Sequence, residues 1–128
     1  MAKTKKCTPK SRAGRLDKAK QFLAAAEMIK PSIEDSDLAD AFVTLCVHAG
    51  LAASDVICCA KLNEHSIGGD HNSAIALLAR IDKKLSINLK TLLDMKGHAG
   101  YSDISVTAEY QLSAKVAAET LVNAATVV

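Results

Sequence analysis

Between Phe42 and Ala60 the chain runs FVTLCVHAGLAASDVICCA, apolar or small almost all the way round. A run of this kind reads as a helix buried in a core, and the rest of the chain must be arranged to cover it. Its interruptions, His48 and Asp55, are seven residues apart. Seven residues make two helical turns with about 20° of drift, so both polar groups share one face. A membrane span is the competing reading, because nineteen residues approach a bilayer thickness. A carboxylate at mid-membrane is costly, and Leu45, Leu51 and Ile57 are the only Leu or Ile residues of the run. We therefore expect a soluble core helix.

At 128 residues the chain suits one domain with a sizeable core and needs no disulfide framework. Its four cysteines, Cys7, Cys46, Cys58 and Cys59, form no CxxC pair. Cys58 and Cys59 diverge by about 100° on a helix, an arrangement expected to suit neither a metal nor a disulfide. Thiols used as small hydrophobes point to a reducing cytoplasm, and neither cofactor nor metal is expected. The opening MAKTKKCTPKSR has no apolar stretch behind it of the kind a secretion signal needs, which again suggests a cytoplasmic location.

Net charge is +2, but residues 1–20 hold eight Lys or Arg against one acid, whereas the rest hold eight against thirteen. Residues 1–10 are therefore expected to form a flexible basic arm ahead of a helical domain at 11–128. Lys3, Lys5, Lys6, Lys10, Arg12 and Arg15 are its candidate contacts to a nucleic-acid backbone. A solvated terminus without a ligand explains the same charges.

Helical periodicity runs through the remainder. A first helix is expected from Ser11 to Ile29, with Leu16, Ala19, Leu23 and Ala26 on one face and Pro31 after its end. The acids of SIEDSD favour the start of a second, which continues to Leu62 and stops at NEHSIGGD. Asp70 is a good cap for a third, with Ala74, Leu77, Leu78 and Ile81 as its buried stripe. Leu85, Leu89, Leu92 and Leu93 mark a fourth, ending in KGHAGYSD, and a fifth starts from Ser105 with Tyr110, Ala117, Leu121 and Ala124 available to pack. No strand-like alternation competes. The expected fold is an all-α, up-and-down bundle of four long helices plus a short one.

Two residue groups could carry chemistry. His48, Asp55, Asp70 and His71 converge if the second and third helices form a hairpin, offering imidazole and carboxylate for acid–base work, metal ligation or a buried polar network. In the last case His71 or Tyr101 would partner Asp55. Lys96, His98 and Tyr101 form the second group, near a helix end whose dipole favours cations. The same three could neutralise and protonate a phosphodiester. The glycine-rich phosphate loops, the HExxH zinc motif and the GxSxG elbow are absent from the sequence, and 3% aromatic content without Trp leaves few stacking platforms for single-stranded nucleic acid.

The order of these features resembles a HEPN domain across roughly residues 12–125. The first helix carries Ala25-Ala26-Glu27, the second HAGLAASDVICCAKL, the third opens with DHNSAIALL, and AGYS follows the fourth. The resemblance implies that Asp55, His71 and Tyr101 stand where the family has its acidic residue, its His before the leucine pair and its late Tyr. It also implies a small helical bundle, commonly a homodimer, of the kind found in toxin–antitoxin, phage-defence and RNA-processing systems.

HEPN ribonucleases carry an Arg and a His separated by four to six residues. Aligned by Tyr101, those positions hold Asp94 and Ala99, with His98 displaced by one and its nearest basic predecessor, Lys96, only two residues away. An Asp there removes the cation that a scissile phosphate needs. The expectation is a non-catalytic module that binds RNA, a nucleotide or a partner protein, such as an antitoxin or a nucleotidyltransferase. A divergent metal-independent ribonuclease using His98, Lys96 and Tyr101 is the alternative.

Overall fold

A computed structural model describes residues 3–29, 38–68 and 71–128. Its elements are β1 (Thr4–Lys6), α1 (Pro9–Ile29), α2 (Ala39–Leu62), β2 (Glu64–Ser66), α3 (His71–Ala79), α4 (Lys83–Tyr101) and α5 (Ala108–Thr126). The described chain is mostly helical, with four long helices and a short one, and carries a two-stranded ribbon in addition.

The apolar run becomes α2, the hub against which α1, α4 and α5 all pack. Phe42, Val43, Cys46, Val47, Ala53, Val56 and Ile57 are buried along it, facing Leu89 and Leu92 of α4 and Leu121 of α5 in one core cluster. By length and composition α2 could cross a membrane, yet 72% of its most apolar window is buried within the bundle. Close approach depends on Gly50. A Cβ there would collide with Leu92 Cδ1 and lie 3.2 Å from Leu121 Cδ1, so the missing side chain lets α4 and α5 settle onto α2.

Local signals set the ends of these elements. Thr8 and Ser11 cap α1 reciprocally, each hydroxyl accepting the other residue's backbone N–H at 3.0 and 2.9 Å, and Pro9 occupies the first helical position, where its missing N–H costs nothing. Asp82 caps α4 by accepting from Leu85 N, and Thr107 caps α5 by accepting from Tyr110 N. Asn63, left-handed at φ 59°, closes α2 and turns the chain into β2. The expected caps in SIEDSD and at Asp70 lie outside the described residues.

The amino-terminal arm differs most from expectation. Thr4, Lys5 and Lys6 pair antiparallel with Ser66, His65 and Glu64, Cys7 N donates to Asn63 O at 3.1 Å, and Cys7 is disulfide-bonded to Cys59. The described part of the arm is thus a strap fastened across the end of α2, and α1 starts at Pro9, so a boundary at residue 10 would fall inside a helix. Divergence of Cys58 and Cys59 was expected to exclude a disulfide. That divergence is what frees Cys59 to face a distant partner while Cys58 stays buried as a thiol.

Candidate functional site

The side chains of α1 and α2 that face each other open into a cleft of about 520 Å³, closed on its other sides by the turn after β2, by α3 and by α4. From α1 come Arg15, Lys18 and Phe22, at spacings of three and four that place them on one helical face. From α2 come His48, Leu51, Ala52 and Asp55, again one face. Ser66, Ile67, Gly68, His71, Ala74 and Lys96 complete the lining.

Asp55 sits at the centre of the electrostatics. Arg15 Nη1 donates to Asp55 Oδ2 at 2.9 Å, with the carboxylate side chain 17% exposed and the guanidinium 40%. Burial raises the Asp55 carboxyl from 3.8 to about 6, against the opposing pull of Arg15 and of His65. His65 is itself buried in β2, and its Nδ1 donates to Ser66 O at 3.0 Å. Asp55 can therefore exchange a proton near neutrality, while Arg15, Lys18 and Lys96 make the cleft net cationic. The Phe22 and His48 rings lie 5.4 Å apart and tilted by 32°, a partly flat aromatic surface beside those charges.

The cleft brings together His48, Asp55 and His71 from the first residue group and Lys96 from the second. Two corrections follow. His48 is exposed, because the α1–α2 packing leaves its face open on the cleft, and so it joins no buried network. The partner of Asp55 is Arg15, forty residues earlier, and not Tyr101, which is 83% exposed at the end of α4. Asp70 lies outside the described residues.

The second group does not assemble. Lys96 and His98 are two apart on α4, so about 200° separates their directions. Lys96 lines the cleft, whereas the His98 ring meets Tyr110 of α5 edge-on at 5.7 Å, and its buried Nε2 finds no hydrogen-bond partner among the described residues. The arm's cations also divide. Lys3, Lys5, Lys6 and Lys10 are exposed, Arg12 donates to Val128 O at 2.8 Å, and Arg15 turns into the cleft.

Lys18, Phe22 and His65 escaped the sequence reading. The spacing of Arg15, Lys18 and Phe22 was the signal for two of them, whereas nothing local marks His65. Among the described residues no three His, Cys, Asp or Glu side chains converge as a metal ion would require. The sequence matches no known family model, and no curated protein matches it either.

Proposed function

We propose that the chain is a HEPN-like, non-catalytic binding module that works as a homodimer and holds RNA or a nucleotide in the cleft between α1, α2 and α3. One observation carries the reading: Arg15, Lys18 and Lys96 line one cleft with a single carboxylate, Asp55, which Arg15 pairs, and the same cleft offers the Phe22–His48 ring surface. Three cations suit a phosphate, and an aromatic surface suits a base. A phosphate entering the cleft competes with Asp55 for Arg15, and protonation of Asp55 favours the exchange. The separation of Lys96 from His98 supports binding over hydrolysis, since a phosphodiesterase needs its cation and its proton donor on the same phosphate. A toxin–antitoxin or defence-type system in the cytoplasm, with an antitoxin or nucleotidyltransferase as protein partner, is the setting this reading implies.

The test is fluorescence anisotropy with a labelled oligoribonucleotide and, separately, labelled mononucleotides, each over a range of salt. Affinity should fall as salt rises. Arg15→Ala and Lys96→Ala should each weaken binding about tenfold, the effect of one charged hydrogen bond. Equal affinity of wild type and both variants would remove the cleft from the account. RNA cleavage that disappears in His98→Ala would replace binding by a nuclease activity.

A further inference from the structure

We propose that Cys7–Cys59 is a reversible thiol–disulfide site, and that its reduction by a thiol releases the amino-terminal strap and loosens the Ser66–Gly68 wall of the cleft. The inference concerns the strap and stands whether or not the cleft holds a nucleotide.

Access comes first. The disulfide faces a second surface cavity, of about 430 Å³, whose lining includes Thr8, Pro9, Arg12, Leu16 and Asn63. Cys7 is half-buried at its edge, whereas Cys59 is buried, so an incoming thiolate meets the Cys7 sulfur. The Arg12 guanidinium in the same lining favours an anionic attacker.

Selectivity comes from the other two cysteines. Cys46 and Cys58 are buried free thiols, and burial pushes both up to about 12, which leaves them protonated and unreactive. Exchange is thereby confined to one pair.

The consequence follows from how little else holds the strap. Its two strands have three residues each, too few to be stable alone in water. Beyond that pairing the strap has the backbone bonds Ile67 N to Lys3 O, at 3.0 Å, and Cys7 N to Asn63 O. The disulfide ties residues 52 apart, and it is the covalent element that keeps those short bonds in register. β2, the strand that β1 braces, leads directly into Ser66, Ile67 and Gly68 on the cleft.

The chemistry balances with a monothiol or dithiol as reductant. A thiolate attacks Cys7 Sγ, the Cys7–Cys59 bond breaks, and the electron pair leaves on Cys59 Sγ, which takes a proton from water. A second thiolate attacks the mixed disulfide and carries off the reductant as its own disulfide. Cys7 departs as a thiolate and is protonated. Two electrons and two protons reach the protein, and two reductant thiols are oxidised.

The full chain, air-oxidised and then equilibrated with dithiothreitol, is alkylated with iodoacetamide and mapped by mass spectrometry, with amide hydrogen exchange measured in parallel. Labelling should appear at Cys7 and Cys59 and spare Cys46 and Cys58. Exchange at residues 4–7 and 64–68 should accelerate at least about tenfold while α2, α4 and α5 keep their protection. Cys7→Ser, which cannot form the bond, should show the same local acceleration without reductant. Unchanged exchange at 64–68 in both the reduced chain and the variant would overturn the proposal, as would simultaneous labelling of all four cysteines or loss of protection in the helices.

Discussion

The cleft beside α2 and the far end of α4 have similar ingredients and opposite outcomes. Each has histidine, lysine and an aromatic ring. In the cleft, residues from α1, α2, α3 and α4 line one cavity, and Arg15 pairs with Asp55 although the two are forty positions apart. At the end of α4, three residues within six positions of one another point to a cleft, to α5 and to solvent. Nearness along a helix is a poor guide to a site, because each residue turns the side chain by about 100°. Two helical faces packed together gather what the sequence scatters.

The sharpest way to break this contrast is the pair Arg15→Ala and Lys96→Ala combined. Loss of both cations should lower affinity for a phosphate ligand about a hundredfold, or roughly 2.7 kcal/mol, read by anisotropy. His98→Ala, at the other region, should leave that affinity within about twofold, since its ring touches Tyr110 and not the cleft. A large loss in His98→Ala would reverse the assignment of the two regions.

Gly50→Val tests the packing beneath both regions. The added methyls meet Leu92 and Leu121, and chemical denaturation should report a loss of about 1–3 kcal/mol. An unchanged midpoint would mean that α4 and α5 can retreat from α2 without cost.

Asp55 gives a pH signature confined to the cleft. Its folded value of about 6 lies above the ordinary 3.8, so between those limits the folded chain keeps a proton that the unfolded chain has lost. Its contribution to stability is therefore most favourable below about pH 4 and declines as pH rises through 6, by at most about 1.4 kcal/mol per pH unit. The difference between wild type and Asp55→Asn isolates the group from other carboxylates. A difference that stays flat from pH 4 to 7 would show that Asp55 titrates as an ordinary surface acid.

The smallest expected effect is His98→Ala on stability, about 1 kcal/mol, the value of one edge-on ring contact.

Much of the architecture was legible from residues alone. The leucines of α3 and α4 repeat at three and four, and they are buried where that spacing puts them, as Leu77, Leu78, Leu89, Leu92 and Leu93 show. His48 and Asp55 share a face, as seven residues require, and both line one cleft. The exposure of His48 was not legible. A run that is apolar on every side says that a helix is enclosed, but not which arc its neighbours leave open.

The ribbon was illegible for another reason. Strands of three residues, TKK and EHS, are too short to display alternation, and a pairing between residues 58 to 62 positions apart leaves no local trace. The capping of α1 by Thr8 and Ser11 was in reach, since Thr-Pro ahead of a helical run is a start signal.

Helical class and core follow from the residues alone. Hydrophobic period and capping chemistry are local, and α2 is apolar on nearly every side, so its neighbours must cover it. Tertiary structure decided which polar groups meet: Arg15 with Asp55, Cys7 with Cys59, Lys96 with the α1–α2 face. Those encounters depend on how helix faces are rotated against one another and on where a strap crosses them, and no local pattern in the chain encodes either.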